Sequence, residues 1–271
     1  MPAFAMSASS DKVTCGTMAG LGTPPEITVI TLCQRTDEAT TIKLYQKGLF
    51  PNIGTICEGI NFGTAQINCA LHRATSNAAC AADTSAFRSY RLGAPIFVVC
   101  QTSIYTAAHC RLLVGNMSEL PTEPSVYLSQ SNGSGTQKTW GGGIEWIIGN
   151  KSNSATPFVG WIGFQAMWPR ILTTDEIHRV CRMFMPGSLA INPQIVPGPG
   201  LFMLPGLKGL STKQMDYSGW SNHGTIVGGS LTAVPGLVLH EPNWRSQRRA
   251  WFDIAAVAST WPGYQSPFGW R

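Results

Sequence analysis

Charge is what this chain has least of. Charged residues fill 12% of its 271 positions, against about 25% in an ordinary soluble domain. The net charge of +5 rests on few side chains, too small a surplus to leave the electrostatic footprint of a nucleic-acid binder. Disorder does not explain the deficit, because 44% hydrophobic and 10% aromatic residues suffice to build a core. Long apolar runs are missing as well. No stretch approaches the roughly 18 uninterrupted apolar residues of a spanning helix, which excludes helical membrane insertion. What is left is a folded protein with a surface of Ser, Thr, Asn, Gln and Gly, or one whose surface is occupied by neighbours. A subunit of a large assembly satisfies both.

Several chemistries lack their motifs. There is no CxxC and no Cys/His cluster of zinc spacing among Cys15, Cys33, Cys57, Cys69, Cys80, Cys100, Cys110 and Cys181. Most of these sit inside apolar strand patterns such as Ile30-Thr31-Leu32-Cys33 and Phe97-Val98-Val99-Cys100, where a free thiol acts as a small hydrophobe. The first residues, Met1 to Met6, carry no basic segment and no apolar core of signal length, which predicts folding in a reducing cytoplasm and reduced cysteines. The sequons at Asn116, Asn132 and Asn150 then read as polar turns. Heptads and internal repeats are absent.

What the chain does have is 29 glycines and 18 prolines spread throughout, the mark of many short strands joined by turns, so the expected class is all-β and antiparallel. Residues 1–25 read as an N-terminal arm ending in Pro24-Pro25. Glu26 to Cys33 alternates as a strand, with Thr41 to Lys47 as its pairing partner. Thr55 to Phe62 and Ala65 to Arg73 form a hairpin, Asn77 to Thr84 is a loop, and Ala94 to Thr102 with Ala107 to Val114 is the strongest strand pair. Ser125 to Ser129 and Gly143 to Ile148 continue the meander, with a bend at Gly141 to Gly143. Strands near Leu201 to Leu204, at Thr225 to Val227 and at Val234 to Leu239 complete the sheets. The sandwich spans 26–240. From 241 to 271 the chain is enriched in Trp and Arg without periodicity and reads as a C-terminal docking arm whose interface residues are Trp244, Arg245, Arg248, Arg249, Trp251, Phe252, Trp261 and Trp270.

The organising stretch runs from Phe158 to Cys181. Its strand places Trp161, Gly163, Gln165 and Met167 on one face and Ile162, Phe164, Ala166 and Trp168 on the other, both largely apolar, so the strand is covered on both sides. After Pro169, Thr173 and Glu176 have capping-box spacing, which predicts one short helix beginning at Thr173 or Thr174. Ile177, Val180, Cys181 and Phe184 form its buried stripe, and Pro186-Gly187 closes it. This strand running into W-P-R-x-L-T-x-x-E-I, together with Asp216-Tyr217-Ser218-Gly219 and Asn222-His223-Gly224-Thr225 downstream, resembles the concanavalin A-like, laminin-G-like jelly rolls found in bacteriophage virion proteins. There the second element often precedes the helix. Here it follows, which implies a permuted strand order, since too few residues remain after Thr225 for a second sandwich.

Candidate catalytic sites fail on their constellations. Thr106-Ala107-Ala108-His109-Cys110 is identical to the histidine motif of trypsin-like proteases, but G-D-S-G-G-P is missing and a triad needs all its members; His109 reads as an ordinary strand residue. Glycoside hydrolysis needs two closely placed carboxylates. Glu145 stands alone and Asp175-Glu176 belong to the helix start. Asp216 and Asn222 are too few for calcium, and Asp216 reads as a turn residue. No catalytic residue, metal or cofactor is therefore expected. The resemblance implies a non-enzymatic virion protein made in the host cytoplasm, a capsid decoration or cement subunit whose partners are the major capsid protein, other virion proteins and sister copies. The alternative is a glycan- or receptor-binding module of a tail fibre or spike, because exposed aromatic rings stack on sugar faces. Membrane and nucleic acid are not expected partners.

Overall fold

A computed structural model of the chain describes residues 2–8, 10–36, 42–48, 57–59, 65–140, 144–150, 156–188, 191–205 and 212–233. They form two antiparallel sheets. The first contains β1 (Pro2–Met6), β3 (Glu26–Arg35), β8 (Pro95–Ser103), β9 (Arg111–Asn116), β12 (Gly160–Trp168), β13 (Leu201–Met203) and β16 (Ser230–Ala233). The second contains β2 (Lys12–Cys15), β4 (Tyr45–Lys47), β5 (Cys57–Gly59), β6 (Gln66–Leu71), β7 (Ala78–Asp83), β10 (Ser129–Ser131), β11 (Trp146–Ile148), β14 (Lys213–Gln214) and β15 (Gly224–Val227). The first sheet runs β16-β1-β12-β3-β8-β9, the second β10-β7-β6-β5-β4-β11-β2-β15-β14. β1 and β13 share one edge of β12, opposite Phe4↔Ile162 and Gln165↔Met203 respectively.

The first sheet is buried on both faces. Between the sheets lie Val29, Cys33, Val98, Cys100, Leu112 and Ile162 from one side and Ile67, Cys69, Cys80, Tyr45 and Trp146 from the other. On the outer face Ile30, Leu32, Phe97, Val99, Phe164 and Trp168 pack under Ile177, Val180 and Cys181 of α1 (Thr174–Arg182) and under Phe184, Ile191 and Val196. Phe164 is the centre of this layer, 4.4 Å from the Phe184 ring centroid and 5.0 Å from that of Phe202. Trp168 Nε1 donates to Val196 O at 3.1 Å, which pins the proline-rich connection. α1 starts where its cap requires. Thr173 Oγ1 accepts from Glu176 N at 3.3 Å, Thr173 N donates to Glu176 Oε2 at 2.9 Å, and Arg170 grips the same carboxylate with two nitrogens at 2.9 and 2.7 Å. One buried polar group links the two sheets. Gln165 Oε1 accepts from Trp146 Nε1 at 3.0 Å across the sandwich while its Nε2 donates to Thr31 Oγ1 at 3.0 Å.

The structure departs from the sequence reading in six places, the first being that Ser125 to Leu128 form no strand and β10 begins only at Ser129. Residues 1–25 are not only an arm: β1 and β2 join the two sheets, with Phe4, Met6, Val13 and Cys15 buried. β4 pairs with β5 and β11 rather than with β3, because both edges of β3 are already occupied by β8 and β12. Asn77 to Thr84 contains the strand β7, whose period of two is written in alanine and cysteine (Ala78, Cys80 and Ala82 inward) and so lacks the β-branched signal. On β12 the register shifts between Ile162 and Phe164, a bulge at Gly163 that puts Trp161 on the Phe164 face and Ile162 on the Met167 face. Ala107 to His109 is a 3-10 turn capped by Thr106, so β9 begins only at Arg111 and His109 is not on a strand. The bend at 141–143, the strand at 234–239 and the arm at 241–271 lie outside the described residues.

Candidate functional site

Three loops meet at the end of the sandwich where the chain enters β3: 72–77, 104–110 and 131–140. The residue that assembles them is Arg73. Its Nη1 donates to Ile104 O at 3.1 Å, Asn132 O at 2.8 Å and Gly133 O at 3.2 Å, and its Nε to Gly135 O at 2.8 Å. One guanidinium thus collects carbonyls from two loops at once. The loops touch closely enough to exclude side chains: a Cβ on Gly133 (φ +66) would lie 2.3 Å from Ser76 O, and one on Gly135 (φ +83) 2.7 Å from Thr75 Oγ1. Ser76 and Ser134 bring their hydroxyls to 3.0 Å. Gln137 Nε2 donates to Pro24 O at 2.6 Å and Trp140 N to Thr23 Oγ1 at 3.0 Å, which ties the crown to the strand entry.

On this crown stands Tyr105. Its backbone is held on both sides, N donating to Ser103 Oγ at 3.1 Å and O accepting from Asn132 Nδ2 at 3.2 Å, yet its side chain is 67% exposed. Around it lie exposed Thr75, Ser76, His109, Ser131, Ser134 and Thr136. The arrangement is an aromatic ring on a fixed base, ringed by hydroxyls and amides, with the Arg73 guanidinium held beneath it by neutral carbonyls. Trp220 is a second exposed aromatic at this end, 49% exposed, its ring lying over Gly20.

The residues that resembled catalytic or metal groups are otherwise employed. His109 Nδ1 lies 3.1 Å from Glu26 Oε1, and the same oxygen accepts from Ser103 Oγ at 2.7 Å. The carboxylate thus stands between Ser and His, the reverse of a triad, in which the base must reach the nucleophile. Asp216 spends both oxygens: Oδ1 accepts from Phe202 N and Ser218 N, each at 2.9 Å, and Oδ2 from Ser218 Oγ at 2.6 Å and Asn222 N at 2.9 Å. Asn222 Nδ2 reaches Gly200 O at 3.0 Å. The motif is a turn that fastens β13, as its sequence suggested. Among the described residues no three His, Cys, Asp or Glu side chains stand where they could hold a metal ion, and no helix is long and apolar enough to cross a membrane.

One ionic cluster escaped the sequence reading. Lys43 Nζ lies 2.5 Å from Glu58 Oε2 on the second sheet, with His72 Nε2 3.5 Å from Oε1. Burial alone would raise the Glu58 carboxyl, but the His72 ring and the Lys43 ammonium outweigh it and hold it down at about 2. Buried Lys47 donates to Thr17 O and Ile144 O and sits 5.3 Å from the centre of the Trp140 ring. The interface residues expected at Trp244, Arg245, Arg248, Arg249, Trp251, Phe252, Trp261 and Trp270 lie outside the described residues. Nothing in the sequence marked Tyr105, whose neighbours come from three separate loops.

No family model and no curated protein matches the sequence. Solved structures do resemble the fold. A protein from Bacteroides ovatus provisionally assigned as carbohydrate binding matches with a TM-score of 0.53 at 12% identity, over 88% of this chain and 61% of that one. The chain therefore spans less than two thirds of that protein's length. Domains LG4-5 of the mouse laminin α1 chain match at 0.41 and 10% identity, over 62% of this chain and 40% of theirs. Tailspike protein 2 of Escherichia coli O157:H7 bacteriophage CAB120 matches at 0.44 and 11% identity, over 75% of this chain and 29% of its own. With two antiparallel sheets and one capped helix among the described residues, and with the Bacteroides likeness, the chain has an antiparallel jelly-roll sandwich fold.

Proposed function

We propose that this chain is a non-catalytic glycan-binding module of a virion protein, and that the Arg73 crown carrying Tyr105 is its sugar-contacting surface. The observation that carries the reading is the pairing of a 67% exposed tyrosine ring with a backbone fixed by hydrogen bonds on both sides. An aromatic ring offers an apolar face to the C–H face of a sugar at little entropic cost, because its base is already ordered. The hydroxyls of Ser76, Ser131, Ser134 and Thr136 then supply the exchangeable hydrogen bonds that sugar hydroxyls require. The carbohydrate-binding assignment of the Bacteroides protein agrees with this reading. The virion setting comes from the sequence resemblance. Capsid decoration through Trp244 to Arg271 has no supporting feature on the described surface.

A glycan array decides the matter. The full chain should bind at least one oligosaccharide class, and the Tyr105→Ala chain should bind none of those found. Binding confined to glycans that the variant still captures would place the site elsewhere.

A further inference from the structure

Cys69 and Cys80 stand directly opposite one another on β6 and β7, with their sulfurs 3.4 Å apart. Both thiols are free and fully buried. Opposed residues on antiparallel strands have Cα atoms about 4.5 or 5.5 Å apart, and either spacing lies within the span of a disulfide. Among the described residues no other two cysteines are paired in register. We propose that Cys69 and Cys80 form a latent cross-strand disulfide, which closes when the folded protein meets a low-molecular-weight disulfide in an oxidising medium. This inference is independent of the glycan reading.

The surroundings explain why the pair is free as folded and how it is reached. Burial pushes both thiols above their usual range, so in the closed sandwich they are protonated and unreactive. Access comes from the edge. β10 has three residues, all exposed, and ends its sheet, and its Gln130 is the register partner of Cys80. Detaching β10 is a local opening that uncovers β7 without unfolding the core. Cys80, deprotonated in the open state, attacks one sulfur of the small disulfide and expels a thiolate. Cys69 then attacks the Cys80 sulfur of the mixed disulfide and expels the second thiolate. The two protein S–H groups are oxidised, one external S–S bond is reduced, and the two protons end on the released thiols. The Cys100 thiol on the facing sheet also interacts with Cys69, so it is the competitor to be excluded.

The test uses the full chain, purified reduced, incubated with oxidised glutathione, blocked with N-ethylmaleimide in acid and mapped by mass spectrometry without reductant. The expected product is one internal cross-link, Cys69 to Cys80, two hydrogens lighter, with a thermal midpoint raised by several degrees and restored by dithiothreitol. Cys100→Ala should keep the cross-link and Cys80→Ala should lose it. Because the wild-type map stands alone, a variant that fails to fold does not weaken the test. A Cys69 to Cys100 link, a lasting glutathione adduct on Cys80, or no cross-link after the β7 amides have exchanged with solvent would each overturn the proposal.

Discussion

The helix layer over the outer face of the first sheet and the loops around Arg73 are held by opposite means. The first is fastened by aromatic contact: Phe164, Phe184, Phe202 and Trp168 interlock over the outer face of the first sheet. The second is fastened by hydrogen bonds from one guanidinium to four carbonyls. Apolar contact consumes the side chains that make it and leaves nothing for solvent. Backbone hydrogen bonding leaves the side chains free, so Tyr105 can face outward from an ordered base. On the proposed reading, the helix layer serves stability and the crown serves recognition.

If so, the two regions break differently. Phe164→Ala should cost about 3–5 kcal/mol, the range for a buried aromatic cut to alanine, read as a lower urea midpoint with unchanged slope. Arg73→Met should cost less, about 2–3 kcal/mol for charge-assisted bonds lost beside solvent, but it should abolish glycan capture. Arg73→Lys should restore capture only in part, since one ammonium has no second nitrogen for Gly135 O. Between the regions, Gln165→Leu should cost about 1–3 kcal/mol by leaving Trp146 Nε1 without its acceptor, with a shift in tryptophan fluorescence.

Acid gives a smaller effect. The Arg170 hydrogen bonds, offset in part by burial, hold the Glu176 carboxyl at about 2 against an ordinary value of 4.5. A carboxylate lowered on folding stabilises above its unfolded value and loses that contribution as pH falls toward the folded one. Stability should therefore decline between pH 4.5 and 2, and Glu176→Gln should flatten the decline slightly, because its partner Arg170 is partly exposed and solvent screens the pair. Denaturant melts at stepped pH check the sign.

How much could be read in advance follows from the same contrast. The capping box was legible because Thr173 and Glu176 are three residues apart and bond each other's backbone. β3 and β8 were legible because Ile, Val and Phe recur over long runs. β7 was hidden by its alanines, and the faces of β12 by a one-residue bulge that a strict period of two cannot show. Arg73 was invisible for a deeper reason. Its acceptors are backbone carbonyls at 104, 132, 133 and 135, and a carbonyl carries no residue identity. The T-A-A-H-C motif shows the converse: a perfect local match whose histidine faces a glutamate that already holds the serine.

The most direct test of the account is calorimetric titration of the best array glycan into Tyr105→Ala, Tyr105→Phe and wild type, with thermal melts on the same samples. The account predicts that Tyr105→Ala loses at least about tenfold in affinity, roughly 1.4 kcal/mol, while its stability stays within about 0.5 kcal/mol of wild type, as befits an exposed side chain, and that Tyr105→Phe, which keeps the ring, binds almost normally. Unchanged affinity in Tyr105→Ala, or a loss of binding that merely tracks a loss of fold, would contradict it.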